Sequence, residues 1–124
     1  MRPILVAVNA QESRDRLVEI LAHAGYSVTQ ADSAKRALEI SCNSLPVLIL
    51  MAIVMPDLNG LEIAAKLRQI LKSDSPPIIL LGSIPPIGLN EEPLMSLVNG
   101  YLNIDVSAKS LLAAVRSQLS SKAQ

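Results

Sequence analysis

Val47-Leu-Ile-Leu-Met51 is an unbroken apolar run in the middle of the chain. Successive side chains of a strand point to opposite faces, so a strand made this way needs apolar cover on both sides, as in a parallel sheet with helices above and below. Ile4–Val8 and Ile78–Leu81 repeat the pattern. Tyr26–Gln30, which alternates, and Tyr101–Ile104 read as two further short strands.

The stretches between these strands carry a helical period. Leu17, Ile20, Leu21 and Ala24 recur at helical spacing and stop at Gly25. Asp32-Ser33 is placed to cap a helix carrying Ala34, Ala37, Leu38 and Ser41. Asn59-Gly-Leu-Glu62 has the form of a capping box ahead of Leu61, Ala64, Ala65, Arg68 and Leu71, and Ser73–Pro77 ends that helix. A fourth helix is predicted over 90–98 with Pro93 in its first turn, and Ser107 caps a fifth carrying Leu111, Leu112, Val115 and Leu119. Five strand–helix units predict a doubly wound α/β fold. At 124 residues this is one domain spanning 1–124, with about 2–120 ordered and a polar end, Ser120–Gln124, that frays or leads into further chain.

Charge and composition then exclude function classes. Eleven Lys and Arg balance eleven Asp and Glu, and the cations are scattered rather than striped, so no field steers the chain onto nucleic acid or anionic lipid. Leu45–Met55 is too short to span a bilayer, and Gly82, Pro85, Pro86 and Gly88 interrupt the apolar stretch near Ile78–Leu89. The N-terminus lacks a signal-peptide core, and the single Cys42 cannot form an internal disulfide, so a cytoplasmic protein is expected.

In an open parallel sheet, ligands bind outside the carboxyl ends of the strands where the strand order reverses. The residues at those ends are Val8, Asn9 and Ala10, then Ala52–Met55, Gly82 and Ser83, and Ile104 and Asp105. The segments Ile4-Leu-Val6, Ala24-Gly-Tyr26, Leu48–Glu62, Pro77-Ile-Ile79 and Asn99-Gly-Tyr-Leu102 resemble, in residues and spacing, the receiver domain of two-component response regulators over about residues 2–120. The most specific piece is Met55-Pro-Asp-Leu-Asn-Gly60, which is similar to the family's Met-Pro-x-x-x-Gly turn. The resemblance implies a flavodoxin-like sheet of order 2-1-3-4-5 with five helices.

It also implies where the family's phosphorylation groups should stand. A receiver needs a carboxylate nucleophile, two more carboxylates for magnesium, and a hydroxyl and a Lys for the phosphoryl oxygens. Family spacing puts the nucleophile at Ala52, the acidic pair at Val8 and Asn9, the hydroxyl at Gly82 and the Lys-Pro pair at Ile104-Asp105. None of these carries the required group. The expectation is a pseudo-receiver with no catalytic residue, no metal site, no cofactor and no enzymatic activity, and its five simultaneous departures favour a natural degenerate member over a single engineered change.

The rim that should be acidic now reads Val8, Ala52, Ile53, Val54, Met55, Gly82 and Ile104, with Ile84, Pro85, Pro86 and Ile87 beyond it. Such side chains either close over one another and extend the core or mark a protein-binding surface. Ile84-Pro-Pro-Ile87 and Tyr101 are the candidate interaction residues, and the expected partner is another protein or a second copy, a homodimer included. Tyr101 matches the family's switch aromatic and is free either to pack over Gly82 or to turn outward. The expected function is phosphorylation-independent signalling through the apolar rim or through the face formed by the fourth helix, fifth strand and fifth helix. A nucleotide- or small-molecule-binding α/β domain is the alternative, although neither Gly-x-Gly-x-x-Gly nor Gly-x-x-x-x-Gly-Lys occurs. Phosphorylation at a non-standard residue is a further one.

The remaining polar residues have plainer readings. Asp57 is a solvated turn residue, Ser83 is inert without a metal or base, and Glu12 and Ser13 cap or decorate the first helix. His23 is a surface residue at a helix end, and Cys42 is a small buried hydrophobe.

Overall fold

The computed structural model describes residues 2–57, 59–82 and 98–122. In order they form β1 (Ile4–Ala7), α1 (Gln11–His23), β2 (Val28–Ala31), α2 (Ala34–Asn43), β3 (Leu48–Ala52), α3 (Gly60–Leu71), a 3₁₀ turn (Lys72–Asp74), β4 (Ile78–Gly82), β5 (Gly100–Asn103) and α4 (Ala108–Lys122). The described residues thus hold four α-helices where five were expected. The helix predicted over 90–98 falls outside them except for Val98, which is buried.

All four strand pairings are parallel, and the sheet order is β2-β1-β3-β4-β5. The register sets Ile4 beside Val28 and Leu48, Ala7 beside Ala31 and Met51, and Ala52 beside Leu81. Every residue of β1 and β3 is buried, as is β4 up to Leu81, which is what continuous apolar strands in the centre of a helix-covered sheet require. The edge strands β2 and β5 are half exposed, and there the sequence mixes in Thr29, Gln30 and Asn103. Ladder bonding runs past the strand limits: the Val8 N–H donates to Ala31 O at 3.0 Å and the Ile104 N–H to Gly82 O at 2.7 Å.

The helices begin largely where their caps predict. Ser33 Oγ accepts from the Arg36 N–H at 3.1 Å, and Ser107 Oγ from the Ser110 N–H at 3.2 Å. Asn59 Oδ1 accepts from the Leu61 N–H at 2.7 Å to start α3. The expected capping by Glu12 or Ser13 is corrected: the cap residue of α1 is Ala10, with no side-chain bond to the helix. Gly25 ends that helix region with φ 96°, a conformation costly for any residue with a β-carbon. At the opposite end of the sheet from the carboxyl strand termini, Arg68 donates to Ser75 Oγ, Pro76 O and Asn99 Oδ1 at 2.6, 2.8 and 2.7 Å. Asn99 Oδ1 also accepts from the Ile78 N–H at 2.9 Å, so one guanidinium ties the start of β4 to the start of β5. Burial pushes the Arg68 guanidinium below its ordinary pKa.

Ser41 is completely buried on the inner side of α2, as its helical position predicted, and its Oγ has no hydrogen-bond partner among the described residues. Cys42 is exposed, which corrects the buried reading. Its side chain follows Ser41 by one residue, about 100° around the helix, and so leaves the inward face.

Candidate functional site

The strand order reverses between β1 and β3, and a pocket of about 220 Å³ opens there at the carboxyl ends of the strands. Val8, Asn9, Ala52, Gly82 and Ile104, the five positions singled out by spacing, all line it, together with Ala10, Ser13, Val54 and Leu81. Four segments distant in sequence therefore converge on one site. Among the described residues lining it there is no Asp, Glu, Lys or Arg. Ala52 is 8% exposed, and Val54, at the mouth, is 82% exposed. Among the described residues no group of three His, Cys, Asp or Glu side chains is placed to hold a metal ion.

The polar side of the pocket is fixed by a cation from the first helix. The Arg14 guanidinium donates to the carbonyls of Val8 at 2.8 Å and Asn9 at 3.1 Å, and through Nε to Gln30 Oε1 at 3.3 Å. Asn9 Nδ2 donates across to Asp32 O at 3.0 Å. These bonds stitch the loop after β1 to the loop after β2. Sequence reasoning missed Arg14, which looked like one of several scattered cations, and a carbonyl-binding role leaves no signal in spacing.

On the far side, Tyr101 lies over Gly82. A β-carbon built at residue 82 would meet Tyr101 Cε2 at 3.1 Å and Cζ at 3.2 Å, and would overlap the hydroxyl oxygen. Of the two orientations open to this aromatic, the structure holds the one packed on Gly82, and the ring is half-buried.

The loop after β3 is pinned at both ends. The Gly60 N–H donates to Ile53 O at 2.7 Å, and a β-carbon at Gly60 would stand 2.5 Å from Ala52 O and 3.1 Å from Ile53 Cα. Only glycine allows the start of α3 to approach the end of β3 so closely. Asp57 is not a merely solvated turn residue, which corrects the expectation. Its carboxylate accepts from the backbone N–H of Ala34 at 3.0 Å and of Lys35 at 2.9 Å, placing it on the N-terminus of α2.

Of the other candidates, Ser83, Ile84, Pro85, Pro86 and Ile87 lie outside the described residues. His23 is on the surface as expected, its Nε2 lying 3.8 Å from Glu19 Oε1 with both side chains mostly exposed. No described helix is long and apolar enough to cross a membrane.

Known proteins share both this fold and this sequence pattern. A family model for the response regulator receiver domain matches residues 4–116. An uncharacterised 14.6 kDa protein from the sodA1 3′ region of Leptolyngbya boryana is 31% identical over 113 residues, covering 91% of this chain and 86% of that protein. The uncharacterised transcriptional regulatory protein YrkP of Bacillus subtilis is 34% identical over 116 residues, covering 94% of this chain and 48% of that one. Against a histidine kinase of Formosa agariphila the chain is 25% identical and spans 9% of its length, so it corresponds to one module of several larger relatives. The CheY-like receiver domain of Methanospirillum hungatei superposes with a TM-score of 0.88 at 23% identity, covering 98% of this chain and 95% of that structure. With the 2-1-3-4-5 sheet, the pocket at its switch point and a family match across nearly the whole chain, this protein belongs to the response regulator receiver domain family.

Proposed function

We propose that this chain is a pseudo-receiver of two-component or phosphorelay signalling, one that works without phosphoryl transfer and acts by binding another protein. The observation that carries this reading is the lining of the switch-point pocket: Val8, Asn9, Ala52, Gly82 and Ile104 meet there without a carboxylate, a Lys or a Thr. An acyl phosphate needs a carboxylate oxygen to attack phosphorus, and the Ala52 methyl has no lone pair to offer.

A magnesium ion fits no better. It prefers hard oxygen ligands, carboxylates above all, while Val8 and Ala52 offer no side-chain ligand and Asn9 offers only one neutral amide oxygen. The main-chain carbonyls of Val8 and Asn9 already face the Arg14 guanidinium, whose charge opposes a second cation nearby. The residues present do not suit the family's metal. On this reading the chain is not an enzyme and needs no cofactor.

What the pocket does suit is an aliphatic side chain. Its walls are the apolar groups of Val8, Ala52, Val54, Leu81 and Ile104, and its 220 Å³ falls below the roughly 300–1,000 Å³ typical of pockets for nucleotides and other small ligands. That counts against the nucleotide-binding alternative. The exposed Val54 at the mouth adds apolar surface for a protein partner. Any switching then comes from a partner with different affinity for two arrangements of this rim, and a cytoplasmic setting goes with the reading.

The test is an amide-resolved NMR titration of the full chain with magnesium and then beryllofluoride, together with mass measurement after incubation with acetyl phosphate. The expected result is no saturable shift at Asn9, Ala52, Gly82 or Ile104 and no gain of a phosphoryl group. Clustered, saturable shifts at those amides, or phosphorylation of any residue, would overturn the reading.

A further inference from the structure

A larger cavity, of about 600 Å³, runs between α1 and α4 and takes no part in the switch-point pocket. Its floor is apolar, with Ile20 and Ala24 from α1 and Ala108 and Leu112 from α4. Arg16, Ile20 and Ala24 follow one another at intervals of four residues, as do Ala108, Leu112 and Arg116. Each helix therefore presents one stripe, about 12 Å long at 1.5 Å per residue. Ala24 and Ala108 are exposed small residues that let another surface approach closely.

The two helices differ in the charges they carry: α1 is mixed and α4 is basic. Both arginines of α1 turn back onto their own chain, Arg14 to the Val8 and Asn9 carbonyls and Arg16 to Val106 O. α1 exposes an acidic edge, Glu12, Asp15 and Glu19 at spacings of three and four, beside Arg16, which is also exposed and lines the groove. Among the described residues Glu12 and Asp15 have no side-chain partner, and Glu19 has only the 3.8 Å contact with His23. α4 contains Lys109, Arg116 and Lys122 and no Asp or Glu, and neither Lys109 nor Arg116 has a side-chain partner among the described residues. An acidic edge and a basic edge thus flank one apolar floor.

We propose that this face is a two-fold interface between copies of the chain, with the acidic edge of α1 in one copy meeting Lys109 and Arg116 of α4 in the other. A two-fold axis makes each such contact occur twice, and the complementary charges for both halves are present in one chain. A formal net charge of zero adds no long-range repulsion between copies. This inference uses a different surface from the switch-point pocket and does not depend on how that pocket functions.

The experiment is sedimentation of the full chain from about 1 μM to about 1 mM at low and high salt, with circular dichroism checking that each variant folds. The expected result is a concentration-dependent dimer that weakens as salt rises. Arg116→Glu and Glu19→Arg should each weaken it about tenfold, because each reversal turns two attractions into two repulsions, and the double variant should restore it to within about threefold. All the altered side chains are exposed, so the fold is expected to persist. A chain that stays monomeric throughout, a dimer indifferent to both single reversals, or a double variant that fails to recover would each overturn the proposal.

Discussion

The ring of Tyr101 fills the space that a β-carbon at residue 82 would need, with Cε2 and Cζ 3.1 and 3.2 Å from that position. The parallel register explains how they meet: Leu80 pairs with Tyr101 and Gly82 with Asn103, so the tyrosine leans diagonally along the sheet onto the glycine two residues on. The rotamer of an aromatic side chain on β5 is thus decided by a missing side chain on β4.

Restoring a hydroxyl at that point should therefore expel the ring. Gly82→Thr is expected to turn Tyr101 outward at a cost of about 1–3 kcal/mol, the usual range for overpacking a filled site. The chain has only two tyrosines and no tryptophan, so ring NMR signals and tyrosine fluorescence report the change against Tyr26 alone. An unaltered Tyr101 environment would contradict the packing described.

Asp57 supports α2 from a loop more than twenty residues away. Its two oxygens take the Ala34 and Lys35 N–H groups while Ser33 Oγ takes that of Arg36, so three otherwise orphaned donors of the first turn are satisfied. Asp57→Ala should lower stability by about 1–2 kcal/mol in urea unfolding, with the loss of hydrogen-exchange protection concentrated in the first turn of α2.

Gly60 tests the close approach of α3 to β3. In Gly60→Ala the new methyl would stand 2.5 Å from Ala52 O and 3.1 Å from Ile53 Cα, backbone atoms with little room to retreat. A destabilisation of about 2–3 kcal/mol is expected, despite the higher helix propensity of alanine, with amide shifts spreading to Ala52 and Val54 in the pocket. A neutral or stabilising result would show that the loop relaxes freely.

Ser41→Ala should act in the opposite sense. The serine is fully buried with an unpartnered Oγ, so the native state carries the desolvation of a hydroxyl without a compensating bond. Removing the oxygen should raise stability by about 1 kcal/mol, visible as a higher urea midpoint at unchanged slope. A loss of stability would mean that the hydroxyl has a partner in solution.

The sequence by itself determined the architecture. The continuous apolar strands Leu48–Ala52 and Ile78–Leu81 could only be satisfied by cover on both faces, and Ser33, Asn59 and Ser107 marked helix starts through bonds that span two or three residues. These signals are legible because hydrophobic period and capping are local. Motif spacing also singled out five of the residues that line the switch-point pocket, since the lengths of strand–helix units fix which residue stands at each strand end.

Tertiary structure alone decided how those positions are used. Arg14 reaches the Val8 and Asn9 carbonyls only because α1 doubles back along β1, and Asp57 meets α2 only because β3 lies beside β1 and brings its loop across. Tyr101 had two orientations open until the register of β5 on β4 placed it against Gly82. The bonds that tie Arg14 and Arg16 to carbonyls of their own chain are likewise invisible in a net charge of zero. In each case the partner is distant along the chain, and the interaction depends on a distance and an angle that composition and period do not encode.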